Sequence, residues 1–151
     1  LPGMTRVLLR ISRALLAHAK KLVLFLCGVA YHKFGETLSD QQEIMAALSD
    51  VIIEIYLGES AVLRALKSRA KGMAASTMPD LAAVFVSNSV GRMEHHARVV
   101  LSAVSAGDEL KAQLGIVRRL LRWTPVNGVD RRRRIAQRLG GVGNYRALVA
   151  G

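Results

Sequence analysis

Apolar residues recur at helical spacing from Thr5 to about Lys33, and this pattern predicts one long helix. Lys20 and Lys21 interrupt its lower face, and Gly35 is a suitable stop because glycine often ends helices. The recurring apolar positions are Val7, Ile11, Ala14, Leu15, Leu22, Leu26 and Val29.

A second helix is predicted to follow the segment Ser39-Asp-Gln-Gln42, which fits a capping box. This helix runs to about Lys67. Ile53 and Leu57 lie toward the side opposite its main stripe, so we expect the helix to contact neighbours on two sides. The main apolar stripe consists of Ile44, Leu48, Val51, Ile55, Val62 and Leu66, and the charged residues Glu43, Asp50, Glu54 and Arg64 fall opposite it.

Residues 69–76 read as a small-residue linker, after which Thr77-Met-Pro-Asp80 starts a third helix. A fourth helix is predicted at 109–122 with Asp108 as its cap, and a fifth at about 129–139, before Gly140-Gly141 and a flexible tail at 140–151. The apolar seam of the third helix consists of Val86, Val90, Met93, Ala97, Val100 and Val104. With no alternation typical of strands, the pattern predicts an all-α antiparallel bundle of four to five helices, forming one domain over residues 1–151.

Composition supports a folded domain, since 51% of the 151 residues are hydrophobic. The chain begins at Leu1 rather than methionine, which suggests a piece of a longer polypeptide. The apolar run Leu22–Tyr31 is about half the length that a membrane span needs. A lone Cys27 fits a reducing compartment, and we therefore expect a soluble intracellular domain.

The formal net charge is +11, and the basic residues concentrate at the two ends of the chain. The densest cluster consists of Arg118, Arg119, Arg122, Arg131, Arg132, Arg133 and Arg134. These arginines form either a solvated face, paired in part with Glu36, Asp40 or Glu109, or a contact for anionic lipid or a partner protein. Nucleic acid is a weaker alternative, because Trp123 is the one aromatic residue near the run.

Glu59 lies on the apolar stripe of the second helix, between Ile55 and Val62. A buried carboxylate is costly unless it is paired. We therefore expect a structural acid, partnered by Arg92, Arg98 or a residue of the first helix.

The sequence offers no recognisable catalytic or metal-binding set. His95 and His96 are adjacent, so a helix does not place both rings on one face, and His18 and His32 are isolated. Neither a phosphate-binding loop nor a nucleophile motif occurs. On these grounds the chain alone is not expected to catalyse a reaction or to hold a metal or cofactor.

Several segments resemble the C-terminal helical extension of acyl-CoA dehydrogenases of the very-long-chain type and their bacterial relatives. Lys33-Phe-Gly35 and the run Gln41–Tyr56 are similar to the start of that extension, and Glu59–Ala65 continues it. Leu121–Asn127 and Arg131–Leu139 look like the tail of bacterial members. A Gln-x-x-Gly-Gly-x-Gly segment at 137–143 also resembles one near the family's flavin, but Asn144 interrupts the match before Tyr145.

The resemblance implies a parent enzyme that uses FAD to oxidise acyl-CoA in fatty-acid β-oxidation. Its flavin site and catalytic glutamate belong to a flavoprotein core upstream, so the resemblance carries no catalytic or cofactor residue over to this chain. It implies an accessory domain that packs on that core and supports dimerisation, membrane docking or partner binding. The implied location is the bacterial cytoplasm, with peripheral contact to the inner membrane. The alternatives are a free-standing basic module for nucleic acid or an anionic membrane, and an autonomous enzyme.

Overall fold

A computed structural model describes residues 2–71 and 77–142, and every regular element in these ranges is helical. The elements are α1 (Pro2–Phe34), a 3-10 helix (Gly35–Asp40), α2 (Gln42–Ala70), α3 (Met78–Val104), α4 (Gly107–Leu120) and α5 (Gly128–Val142). The predicted all-α class and the count of five α-helices are thereby confirmed for these ranges. The linker and tail predictions at 72–76 and 143–151 lie outside the described residues.

Contacts divide the chain into two compact units, to which α1, α2 and α3 each contribute a part. The first unit comprises Leu1–Ala14, Leu57–Asn88 and Thr124–Gly151, and the second comprises Leu15–Tyr56 and Ser89–Trp123.

The core of the second unit follows the predicted apolar stripes. Its α2 positions Ile44, Leu48, Val51 and Ile55 are at most 6% exposed, and Met93, Ala97 and Val100 of α3 are fully buried. From α1, Leu15, Leu22 and Leu26 are buried as predicted. Two charged pairs show that α2 and α3 run antiparallel in this unit. Asp50 pairs with His96, and the later α2 residue Glu54 pairs with the earlier α3 residue Arg92.

The first unit departs from the prediction at the start of α1. Val7 and Ile11 are 46% and 44% exposed, whereas Leu9 and Ser12 are buried. The predicted face was wrong because this stretch is apolar on several sides, so its periodicity did not select the side that packs. The remaining buried residues of this unit include Val62, Ala65, Ala82, Ala83, Val86 and Ile135.

The ends of the first two helices follow the sequence only in part. Gly35 adopts a φ of +56°, a left-handed conformation that glycine tolerates, and it ends α1 as predicted. The capping box at Ser39 was wrong. Residues 35–40 form a 3-10 helix, in which the Ser39 hydroxyl donates to the carbonyl of Glu36 at 3.4 Å, and α2 begins only after Gln41.

The last two helices also differ from the prediction at their ends. Ala106 is the cap residue of α4 and makes no side-chain hydrogen bond, while Asp108 lies inside the first turn. The helix α5 continues through Gly140 and Gly141 to Val142, so the predicted tail does not begin at residue 140. Helical hydrogen bonding thus continues through the two glycines despite the low helix propensity of glycine.

The stretch Arg6–Asp40 is long and apolar enough to cross a membrane, judged by length and composition alone. A core helix of a folded domain gives the same signal. Within it, Leu16, Leu22 and Leu26 are almost completely buried in the second unit, whereas Leu24 is 72% exposed.

Candidate functional site

A charged network in the second unit joins α2 to α3. The Arg92 guanidinium donates to Glu54 through Nε, at 2.5 Å from Oε1, and through Nη2, at 2.8 Å from Oε2. The hydroxyl of Ser89, a fully buried residue, donates to the same Oε2 at 2.6 Å. Two-pronged pairing of this kind fixes geometry as well as charge, so the network sets the register of the two helices.

The hydrogen bond from Arg92 holds the pKa of Glu54 below its usual range. Burial of the carboxyl acts in the opposite direction, and the Ser89 hydroxyl and the charges of Arg92 and His96 add to the lowering. The sequence pattern placed Glu54 on the outer side of α2 and missed this role. The signal that could have found it is the spacing of Ser89 and Arg92, which lie on one face of α3.

We expect Glu54→Gln to lower the free energy of unfolding by about 1–3 kcal/mol at pH 7, because the charge-assisted bonds are lost. Because the folded pKa lies below the unfolded value of about 4.3, the wild-type advantage is complete above that value and disappears as pH falls through the folded pKa. Urea unfolding of both proteins between pH 7 and pH 3 measures this difference.

The matched control is Glu94→Gln, which breaks the i,i+4 contact with Arg98 at 2.7 Å. The Glu94 side chain is 35% exposed, compared with 13% for Glu54, so the loss of this pair should cost less than about 1 kcal/mol. A Glu54→Gln deficit that stayed constant down to pH 3 would contradict the role assigned to the carboxylate.

An apolar face of α2 within the second unit is left uncovered. Ile52, Ile53 and Tyr56 are 51%, 50% and 69% exposed, and Met45 extends the same stripe. It lies beside the buried stripe of Ile44, Leu48, Val51 and Ile55, so α2 is apolar on two sides. We expected Ile53 to contact a second neighbour, but its side chain is 50% exposed in this structure, so that contact stays a prediction. A clustered apolar surface of this kind is typical of an interaction site.

Asp80, in the first turn of α3, accepts hydrogen bonds from two arginines of α5 in the first unit. Arg134 donates to its Oδ2 through Nε at 3.1 Å and to its Oδ1 through Nη2 at 3.0 Å, and Arg131 donates to the same Oδ1. Arg132 donates to the side-chain oxygen of Asn88 at 3.2 Å. In the second unit, Nε of Arg118 donates to the carbonyl oxygen of Leu114 at 3.5 Å. Among the described residues, four of the seven predicted arginines therefore make side-chain polar contacts inside their own unit.

The partners expected for the arginine cluster were wrong in detail. Asp80, which the sequence indicated only as a helix-start residue, binds two of them, and Glu109 instead accepts a hydrogen bond from Gln113 at 3.1 Å. Arg118, Arg119, Arg122 and Arg133 are exposed. The first three belong to the second unit and Arg131–Arg134 to the first.

The structure also locates Glu59, the adjacent histidines and Cys27, which the sequence had singled out. Glu59 is half-buried rather than buried and engages another group. Of its predicted partners, Arg92 binds Glu54 and Arg98 binds Glu94. Nε2 of His96 lies 3.6 Å from Oδ2 of Asp50. The ring of His95 packs edge to face against the ring of His96. Cys27 is half-buried, and burial raises the pKa of its thiol.

The first unit contains a pocket of about 360 Å³ between the second half of α2 and the first half of α3. Arg64 and Asn88 are its polar lining residues. The apolar lining residues are Ala61, Met78, Leu81, Ala82, Val84 and Phe85.

This pocket does not fit FAD. A pocket of about 360 Å³ lies at the lower end of the range of about 300–1,000 Å³ for small-molecule sites, and its lining is mostly apolar. The flavin cofactor carries two phosphates, which are usually held by a glycine-rich turn at a helix start. Among residues 2–71 and 77–142, no group of three or more His, Cys, Asp or Glu side chains could hold a metal ion.

These features define an all-helical domain in which a few charged side chains join helices within each unit and α2 presents an uncovered apolar face. Residues 18–119 match the model of the acyl-CoA dehydrogenase C-terminal domain family. The chain belongs to that family.

Relatives agree with this assignment. A probable acyl-CoA dehydrogenase of Bacillus subtilis (strain 168) is 34% identical over 127 residues, which cover 83% of this chain and 21% of that protein. The crystal structure of an acyl-CoA dehydrogenase complexed with FAD from Bacillus anthracis superposes with a TM-score of 0.81 at 33% identity. The match covers 85% of this chain and 22% of that structure, so the chain spans about a fifth of the length of both relatives.

Proposed function

We propose that this chain is the C-terminal accessory domain of an FAD-dependent acyl-CoA dehydrogenase, and that it packs on the flavoprotein core of the same polypeptide. The supporting observation is the uncovered apolar face of α2 at Ile52, Ile53 and Tyr56. Large apolar side chains gain free energy when another surface removes them from water. The relatives are about four times as long as the chain, so a polypeptide of their length has room for such a core.

In this proposal the chemistry stays with the core. FAD bound to the core would supply the redox chemistry, and both the flavin site and the general base would belong to the core rather than to this chain. The role of the domain is to position and cover part of the core. Acyl-CoA oxidation in fatty-acid β-oxidation and a location in the bacterial cytoplasm are parts of the same proposal.

Dimerisation and contact with a membrane stay predictions, and the structure favours neither over core packing. A role in nucleic-acid binding loses support from the arginines, because Asp80 pairs with Arg131 and Arg134 of the basic helix. The exposed arginines Arg118, Arg119 and Arg122 remain available for an anionic partner.

The test compares the isolated chain with the full polypeptide encoded by its gene, whose reading frame upstream of Leu1 should continue into a flavoprotein core. Ile52→Cys is labelled with a maleimide in both proteins, and mass spectrometry of the α2 peptide gives the rate. We expect labelling in the full polypeptide to be roughly tenfold slower or more, because docking limits access to local opening.

The control is Ala112→Cys, at an exposed position in the middle of α4 outside the apolar face. It should react at the same rate in both proteins. Cys27 contributes little background, since its half-buried thiol has a raised pKa. Equal labelling rates at residue 52 in both proteins would refute packing through this face.

A further inference from the structure

The pocket of the first unit combines an apolar body with two polar groups at α2 and α3. We propose that it binds a single medium-length fatty carboxylate, of about eight carbons, with its chain among the apolar residues and its carboxylate at Arg64. This site goes beyond the role of the domain as a covering element and lies in a different unit from the apolar face of α2.

The apolar part of the pocket selects the body of the ligand. Six of the eight lining residues are apolar, including Met78, Leu81 and Phe85 of α3. A volume of about 360 Å³ suits one short chain. A nucleotide or the head group of coenzyme A would need more space and several phosphate-binding donors, which this lining lacks.

Arg64 selects the charge of the ligand. Its side chain is exposed at the pocket, and among the described residues no carboxylate forms an ion pair with it. The arginines of α5 differ, because Asp80 engages both Arg131 and Arg134. A guanidinium carries only donors and binds a carboxylate through two parallel hydrogen bonds, so Arg64 is complementary to an acid and repels an amine.

Asn88 reinforces this preference. Its side-chain oxygen already accepts a hydrogen bond from Arg132 at 3.2 Å, which leaves its amide nitrogen to donate. Both polar lining residues therefore offer donors, and an acceptor such as a carboxylate satisfies them. A neutral alcohol of the same length would keep the apolar contacts and lose the charge-assisted bonds.

The test titrates octanoate and 1-octanol separately into the full 151-residue chain, and follows the backbone amides by NMR. We expect saturable shifts confined to the end of α2 and the start of α3, with octanoate binding more tightly. Arg64→Gln should weaken octanoate roughly tenfold and leave 1-octanol unchanged, because one charge-assisted contact is lost.

Two further variants separate specific binding from general attraction to a basic chain. Lys67→Gln removes a charge from an exposed position on the same helix outside the pocket, and it should leave octanoate affinity unchanged. Ala61→Phe places a ring at the pocket and should abolish binding of both ligands, while thermal unfolding verifies that the variant folds. Non-saturable shifts, or equal weakening by Arg64→Gln and Lys67→Gln, would overturn the proposal.

The proposed carboxylate site is independent of the proposed packing on a flavoprotein core. The labelling test reports on Ile52 of the second unit, and the titration reports on residues of the first. Either proposal can fail while the other stands.

Discussion

Replacing Val51 with aspartate is expected to abolish the folded state of the second unit. Val51 is 0% exposed and lies in the buried stripe of α2, between Leu48 and Ile55. An unpaired carboxylate at this position would lose its hydration without gaining a partner, at a cost of several kcal/mol. Since domains are stable by only about 5–15 kcal/mol, this single change removes most or all of the margin.

The adjacent residue supplies the control for this experiment. Ile52 is 51% exposed, so Ile52→Asp introduces the same charge one position along the same helix at the surface. Circular dichroism and urea unfolding of the isolated chain should show helix loss for Val51→Asp and a transition close to wild type for Ile52→Asp. Equal midpoints for the two variants would contradict the assignment of the buried face.

Replacing Asp80 with asparagine is expected to give the second large loss, on the order of 3 kcal/mol, because Arg131 is left with an unmatched charge. The side chain of Arg131 is only 12% exposed, whereas that of Arg134 is 52% exposed. Removing one partner of a partly buried pair is costly, and the exposed arginine adds little because water replaces its contact. Urea unfolding at pH 7 measures the loss.

The same pair predicts a dependence on pH. Burial of Asp80 acts to raise the pKa of its carboxyl, but the hydrogen bond and charge of Arg134 and the charge and hydrogen bond of Arg131 outweigh it, so the pKa is lowered. The stabilisation is therefore complete above the unfolded value of about 3.9 and is lost as pH falls through the folded pKa. The difference between wild type and Asp80→Asn should shrink in that window.

Asp108→Asn is the matched control, because Asp108 also lies in the first turn of a helix. Its contact with Lys111 is exposed, with side-chain exposures of 98% and 78%, so its loss should cost less than about 1 kcal/mol. Both substitutions remove a carboxylate that is favourable at the start of a helix. The difference between their losses in unfolding free energy therefore measures the contribution of the arginine contacts. Equal losses would show that the helix-start effect, and not the arginines, accounts for the result.

If these outcomes hold, the basic run of α5 has a structural part and an exposed part. Arg131 and Arg134 help to hold α5 against α3 through Asp80, while Arg133 remains exposed. Charge density along the sequence therefore overstates the number of cations available to a partner. This distinction also limits how far the net charge of +11 can argue for a polyanionic ligand.

The periodicity of apolar residues was sufficient to predict the helices and most of the core. The α3 seam of Val86, Val90, Met93, Ala97, Val100 and Val104 is buried as predicted. Such long patterns are reliable because every turn repeats the same requirement for burial. The prediction of the buried face failed at the start of α1, because Val7, Leu9 and Ile11 place apolar side chains on different faces of the helix. Only packing against a neighbour decides which of these faces is buried.

The resemblance read from the α2 segment also led to the family, because its ordered combination of residues extends over much of the chain. Helix starts were less predictable. Ser39 and Asp108 have residue types suited to capping, yet a local 3-10 helix and the position of Ala106 set the actual starts. Capping depends on one hydrogen bond, which alternative local contacts easily replace.

The sequence by itself determined that this protein is helical, which faces of α2 and α3 are buried, and that it belongs with the acyl-CoA dehydrogenases. Only the tertiary structure decided that Glu54 joins Ser89 and Arg92, that Asp80 joins Arg131 and Arg134, and that Arg64 borders an apolar pocket. The physical reason is range. Helical periodicity is a local property of neighbouring turns, whereas each of these groups meets residues that lie far away along the chain.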